Sequence, residues 1–143
     1  MPTFHEAPDA GTPGWEIDLD ARGEAAIAQV SAALKQEGFG TLTRIDLDQA
    51  FAEKLGITFR PYAILGACNP KLAHQAVTAR PDVGLLLPCN VTVEERAEGG
   101  STVRIVDPQA MLGMGGLGDD PVIQGVAREA GERLGRVAEA LRG

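Results

Sequence analysis

Apolar positions recur at helical spacing in two long stretches of the chain. In residues 21–37 the repeat is Ile27, Val30 and Leu34, and Gly38 follows as a typical helix stop. In residues 120–141 a stripe follows the start signal Asp120-Pro121, and its members are Ile123, Val126, Ala130, Leu134, Val137 and Leu141. Both stretches are predicted to form amphipathic helices that bury one face.

Shorter segments predict the elements between these two helices. Strand patterns occur in "GWEIDLD", "FGTLTRIDL", "RPYAILGA", "VGLLLPCNVTVEER" and "STVRIVD", and the turn "EGG" joins the last two as a hairpin. The fourth is predicted as one long strand with a bulge or an edge position at Pro88, because proline cannot donate to a ladder. Short helices are predicted after three cap residues, Asp48 (with Gly56 as stop), Asn69 (ending near Arg80-Pro81) and Asp107.

These patterns divide the chain into four parts. We expect a loose leader at 1–13, a core domain at 14–112, a glycine-rich connector at 113–119 and a C-terminal helix at 120–143. The connector contains "GMGGLG", Gly113–Gly118, which matches the dinucleotide fingerprint G-x-G-x-x-G. That fingerprint requires a strand directly before it and a helix directly after it. Here "DPQAML" intervenes, so we expect no nucleotide cofactor.

Charge and composition exclude several classes of partner. The net charge is -7 and the thirteen basic residues are scattered, which argues against a nucleic acid partner. No apolar run approaches the roughly 20 residues that span a bilayer, and the N-terminus does not have the pattern of a signal peptide. We therefore expect a cytoplasmic protein without a membrane partner, whose two cysteines are free thiols.

The candidate chemistry lies in "LGACNPKLAH" and "LLLPCNV". Cys68 precedes the Asn69 cap, where the positive end of a helix would stabilise a thiolate, and His74 lies in the same predicted helix. One interpretation is a metal or redox site of Cys68, His74 and Cys89. The other is two core thiols and an exposed imidazole. The spacing of the three residues matches no standard zinc pattern, so metal binding by them is the weaker idea.

The direction of two strands decides whether the cysteines meet. Parallel neighbours would bring Cys68 and Cys89 to the same end, whereas antiparallel ones would separate them by on the order of 20 Å, at about 3.3 Å per residue. A disulfide requires Cα atoms within roughly 7 Å.

Four further residues are ligand-binding candidates with structural alternatives. Arg60 can clamp an anion, or pair with Asp46 or Asp107 to hold the sheet together, and Tyr62 can offer a hydroxyl. Asn69 is explained by helix capping and Asn90 by a bulge beside Pro88. No serine or carboxylate pair supports a catalytic triad or an acid–base pair.

The order of five blocks between residues 24 and 112 resembles the domain of unknown function 302 family. The matching positions are Gly38, Phe39, Gly40, Phe59, Arg60, Pro61, Tyr62, Gly66, Cys68, Asn69, Pro70, Ala73, His74, Pro88, Cys89, Asn90, Asp107 and Pro108. The resemblance implies an α+β fold of the TATA-box-binding-protein-like class, with an antiparallel sheet flanked by helices, and packing as dimers. It implies no reaction, and the tail after Leu112 departs from the pattern.

The predicted fold is therefore a single α+β domain, with a four- or five-stranded, mostly antiparallel sheet packed against helices. Two functions stay open. The domain binds a small ligand or metal near Cys68, His74 and Cys89, with thiol chemistry as one form of that function. Alternatively, it is a non-catalytic homodimeric interaction domain, in which the long C-terminal helix packs on the core or at the dimer interface.

Overall fold

The fold is a five-stranded antiparallel sheet with helices on one face, described by a computed structural model over residues 5–143. Chain order is β1 (Gly14–Leu19), α1 (Gly23–Gln36), β2 (Gly40–Asp46), α2 (Leu47–Leu55), β3 (Tyr62–Cys68), α3 (Pro70–Ala79), β4 (Cys89–Glu95), β5 (Ser101–Val106), α4 (Pro108–Met111) and α5 (Pro121–Arg142). Two 3-10 turns, Pro81–Leu86 and Gly115–Asp119, precede β4 and α5. The predicted α+β class is confirmed.

The strands are arranged in the order β1-β5-β4-β3-β2, so β4 is the central strand. Alternate residues of β1, β3, β4 and β5 point into the core, and this inner face includes Trp15, Ile17, Leu65, Val91, Val93, Val103 and Ile105. The opposite, outer face is partly exposed and carries polar and charged side chains. This alternation is expected of an antiparallel sheet that helices cover on one side only.

The long helix α5 closes the core over the inner face. Its buried stripe contains the six predicted apolar positions, and α5 contacts α1, α3, α4 and β1. The Asp120 carboxylate accepts hydrogen bonds from the backbone N–H groups of Val122 and Ile123, at 2.9 and 3.1 Å, which confirms the predicted cap. Among residues 5–143, no helix combines the length and apolar character needed to cross a membrane.

Three local predictions are wrong. Residues 83–96 do not form one strand: the first part is the 3-10 turn, in which Val83 is buried but Leu85 is 87% exposed. Pro88 is at neither a bulge nor an edge, since it precedes the central strand and the bulge lies in β2 between Thr41 and Thr43. Asp48 does not cap α2, because its carboxylate accepts the backbone N–H of Tyr62 instead.

The described part of the predicted leader contacts β1 and the end of α5. The Trp15 indole donates to the Glu6 carbonyl oxygen at 3.0 Å, and the Arg142 side chain at the end of α5 forms ion pairs with Glu6 and Asp9. These contacts connect a segment without regular secondary structure to the rest of the domain. Residues 1–4 of the predicted leader lie outside the described part of the chain.

Candidate functional site

The two cysteines lie at the same end of neighbouring strands. β3 and β4 are antiparallel, and Ala67, the residue before Cys68, pairs directly with Cys89. The expected separation of antiparallel cysteines is wrong because it placed Cys89 in the middle of a long strand. Cys89 is in fact the first residue of β4 and Cys68 the last of β3, and in an antiparallel pair the end of one strand meets the start of the next.

A cavity of about 270 Å³ opens beside this pair of strand ends. β3, β4 and α3 form much of its wall, and α4 and α5 close it from the helix side. Its lining residues are Phe39, Leu42, Thr43, Ala67, Cys68, Asn69, Leu72, Ala73, Ala76, Leu87, Pro88, Cys89, Pro108, Leu112, Val126 and Ala130. Apart from Thr43, Asn69 and the two thiols, these side chains are hydrocarbon. We call this space the strand-end cavity.

Both thiols of the strand-end cavity are protonated at neutral pH. Burial raises the pKa of Cys68, and burial together with the nearby charge of an ionised Cys68 raises the pKa of Cys89 to about 11. For Cys68 this direction is opposite to the lowering of the pKa expected from the start of α3, and its cause is the removal of the thiol from water. Both cysteines are free, so no disulfide joins them.

Asn69 has the structural role that the sequence predicted for it. Its side-chain oxygen accepts the backbone N–H of Leu72 at 3.2 Å and so caps α3. The side-chain oxygen of Asn69, the most polar side chain that lines the cavity, is therefore already hydrogen-bonded within the protein. A molecule in the cavity therefore meets a mainly apolar surface.

His74 lies outside the strand-end cavity that the two cysteines line. It is exposed on α3 and does not line the strand-end cavity, although its neighbours Leu72 and Ala73 do. Within residues 5–143, no group of three or more His, Cys, Asp or Glu side chains is arranged to hold a metal ion. The idea of a shared metal site at Cys68, His74 and Cys89 has no geometric support there.

Arg60 and Tyr62 lie at the opposite end of β3 from Cys68, and Asn90, although it follows Cys89 directly, faces the other side of the sheet. The predicted partners of Arg60 are wrong: it forms an ion pair with Glu94, and its guanidinium lies 4.3 Å from the ring centre of Phe59. Asp46 instead pairs with Arg44 at 3.1 Å. Tyr62 and Asn90 both line a second cavity, on the outer face of the sheet. The predicted ligand set is thus divided between two places.

Several lining residues of the strand-end cavity were not predicted as site residues. Phe39 precedes β2, Leu112 follows α4, and Val126 and Ala130 lie in α5. The apolar stripe of α5 predicted burial for the last two, but no sequence signal indicated that they face the end of β3.

Comparison with known proteins identifies the family. A family model described as "Domain of unknown function DUF302" matches residues 15–141. The chain belongs to this family. A crystal structure of an uncharacterised conserved DUF302 protein from Bacillus stearothermophilus is similar, with a TM-score of 0.77 and 29% sequence identity, covering 90% of this chain and 97% of the other. No curated protein matches the chain.

The family assignment confirms the resemblance described above and extends it. The matched segment includes the connector and nearly all of α5, so the tail after Leu112 belongs to the DUF302 domain. In the connector, the Gln124 side chain donates to the carbonyl oxygens of Leu112 and Leu117, at 3.1 and 3.0 Å, which ties the glycine-rich segment to α5.

Proposed function

We propose that this DUF302 domain binds a small, mainly apolar molecule in the strand-end cavity. The observation that carries the proposal is the combination of a cavity of about 270 Å³ with an almost entirely hydrocarbon lining. Concave, mostly apolar spaces with few polar groups are typical small-molecule sites. The domain is in this view a binding module rather than an enzyme.

The state of the thiols supports binding over catalysis. A nucleophilic or metal-binding cysteine requires the thiolate, and the raised pKa of both cysteines disfavours it at neutral pH. Protonated thiols act as weakly polar, polarisable parts of an apolar wall. Cys68 and Cys89 then contribute shape and dispersion contacts to the ligand.

The size of the hydrophobic contribution is sufficient for measurable affinity. An aromatic ring that buries about 200 Å² gains roughly 5 kcal/mol at about 25 cal/mol per Å². Association entropy offsets part of this gain. Since 5 kcal/mol without any offset corresponds to about 0.2 mM, we expect dissociation constants of roughly 0.2 mM or weaker for simple aromatic probes.

Filling the cavity tests this proposal. Ala73 is half-buried in α3 and lines the cavity, whereas Ala79 at the end of the same helix is exposed. Indole titrated into the protein, followed by amide NMR, should shift resonances of Cys68, Cys89 and their neighbours. Ala73→Leu should weaken indole binding at least tenfold, and Ala79→Leu should leave it unchanged. Equal binding by a folded Ala73→Leu variant would contradict the proposal.

A second proposal, homodimerisation through β2, has its own observation. β2 is an edge strand whose side chains are exposed on both faces, including Leu42 at 66% and Ile45 at 51%, and α2 buries no residue. Exposed apolar edge strands are surfaces on which another chain adds. An antiparallel strand can pair with its own copy across a two-fold axis, which makes a second copy of this chain the partner proposed.

Sedimentation measurements test whether the chain dimerises through β2. Ile45→Lys should convert the dimer to monomer, whereas Val122→Lys, at an exposed apolar position of α5, should not. A wild-type protein that sediments as a monomer at all concentrations would argue against it without affecting the ligand proposal.

A further inference from the structure

The outer face of the sheet carries a second concave site, distinct from the strand-end cavity. It has a volume of about 340 Å³ and is lined by outer-face side chains of four strands and by the segment 11–14. The side chains that matter for recognition are Glu16, Tyr62, Asn90, Thr92 and Arg104. We call this site the outer-face cup.

The wall of the outer-face cup is fixed before any ligand arrives. The Thr12 hydroxyl donates to the Gly14 carbonyl oxygen at 2.6 Å, and the Asp9 carboxylate accepts the backbone N–H of Glu16 at 2.7 Å. At Gly14 a β-carbon would lie 1.8 Å from the Ile105 carbonyl oxygen, so the wall packs directly on β5. A preformed wall reduces the entropy lost when a ligand binds.

The charges of the cup compensate one another. Arg104 donates to Glu16 at 2.9 Å and to Glu94 at 2.6 Å, and Arg60 pairs with the second oxygen of Glu94. Two guanidinium groups thus face two carboxylates. Because each charge already has a partner, a charged ligand would compete with these pairs for the same groups and would gain little.

The uncharged polar groups, by contrast, are available. Asn90 is exposed, and the Thr43 hydroxyl and the Pro88 ring lie over its cross-strand neighbour Gly66. Tyr62, which lines the same cup, is partly exposed. The Thr92 hydroxyl oxygen is buried and has no hydrogen-bond partner among the described residues. The Thr92 side chain lines the cup, so this unpaired hydroxyl lies in the cup wall.

We propose that the outer-face cup is a second ligand site, for a small neutral molecule that carries an amide-type N–H donor and C=O acceptor side by side. The carboxamide of Asn90 presents the complementary acceptor and donor, so it can form two parallel hydrogen bonds with such a molecule. Thr92 gains its missing partner in the complex. This site is independent of the apolar ligand proposed for the strand-end cavity.

Two ring compounds of similar size test whether the cup recognises the amide N–H and C=O pair or any small ring. 2-Pyrrolidinone carries the N–H and C=O pair, and cyclopentanone carries the C=O alone. In amide NMR titrations, 2-pyrrolidinone should shift the resonances of Asn90, Thr92 and Arg104. Cyclopentanone should bind there at least tenfold more weakly. Equal affinity for the two compounds, or no shift in the cup with 2-pyrrolidinone, would overturn the proposal.

Variants locate the contacts. Asn90→Ala and Thr92→Val should each weaken 2-pyrrolidinone binding at least tenfold, and Thr92→Val should keep or raise the melting temperature because it removes an unpaired hydroxyl. Thr78→Val is the matched control, at an exposed position of α3 that lines neither cavity. Unchanged affinity in a folded Asn90→Ala variant would overturn the proposal. Ala73→Leu, which fills the strand-end cavity, should leave 2-pyrrolidinone binding intact.

Discussion

The backbone of Glu6 crosses helix α5 directly against Gly135. A β-carbon at Gly135 would lie 2.6 Å from the Glu6 carbonyl oxygen, closer than packing allows. The same carbonyl oxygen accepts the indole N–H of Trp15. The absence of a side chain at one helical position therefore determines where the N-terminal segment lies.

Gly135→Ala is expected to displace the segment around Glu6. The indole N–H resonance of Trp15, the only tryptophan, reports this change because its hydrogen bond to Glu6 is lost. We expect a net destabilisation of about 1 kcal/mol, since the lost contacts outweigh the helix propensity of alanine. The control is Gly125→Ala in the same helix, where a β-carbon meets open space and stability should rise by about 0.5–1 kcal/mol. An unchanged indole resonance in Gly135→Ala would contradict the expectation.

Because the pKa of Cys89 is raised in the folded protein, the free energy of unfolding is expected to fall at alkaline pH. The thiol has an ordinary pKa of 9.0 and a pKa of about 11 in the folded protein, so the unfolded chain releases this proton first. The stabilising contribution is complete below pH 9.0 and is lost as pH rises to about 11, by about 3 kcal/mol at most. Urea unfolding between these pH values should show the loss in the wild type.

Cys89→Ala separates this effect from other alkaline titrations. The difference in unfolding free energy between wild type and variant should shrink as pH rises through the window, because the variant has no thiol to ionise. Parallel curves for the two proteins would indicate that Cys89 is solvated. Exposure also predicts the order of alkylation: a thiol reagent should modify the partly exposed Cys68 before the buried Cys89.

Glu94 is predicted to make the protein sensitive to acid. Hydrogen bonds from Arg104, and then from Arg60, lower the pKa of this carboxyl below its ordinary value of 4.5. Its contribution is therefore present above pH 4.5 and is lost as pH falls through the lower folded pKa. Glu94→Gln should cost about 1 kcal/mol at pH 7 and should flatten the acid unfolding curve.

Glu98→Gln is the comparison for this acid effect. Glu98 is exposed, with a single longer contact of 3.5 Å to Arg96, so its replacement should change neither stability nor acid sensitivity measurably. Identical acid curves for wild type and Glu94→Gln would show that the outer-face ion pairs do not stabilise the fold.

Local signals in the sequence predicted the helices well. Asn69, Asp107 and Asp120 cap their helices through side-chain hydrogen bonds, and each is followed by proline at the first helical position. Capping is a short-range interaction, so the residues that cause it are adjacent in the chain. Asp48 failed as a cap because a tertiary partner, the Tyr62 N–H, competes for its carboxylate.

The candidate site depended on information that short-range patterns lack. The apolar run before Cys89 is compatible with a buried strand and with a turn, and in the structure it forms a turn in which Leu85 is exposed. Because of this ambiguity, the sequence did not predict that Cys89 begins its strand and therefore lies near Cys68 at the end of β3. Tyr62 and Asn90 were predicted with the cysteines because the sequence does not reveal which face of a strand a residue occupies until the register is known.

The segment from Gly40 to Leu55, in which β2 is exposed on both faces and α2 buries nothing, contributes little to the core. Segments with few buried contacts open locally at a lower free energy than global unfolding. Leu42 and Thr43 of this segment also form part of the wall of the strand-end cavity. Local opening of β2 from β3 would therefore widen the strand-end cavity on this side, so amide hydrogen exchange in β2 is expected to be faster than in the central strand β4.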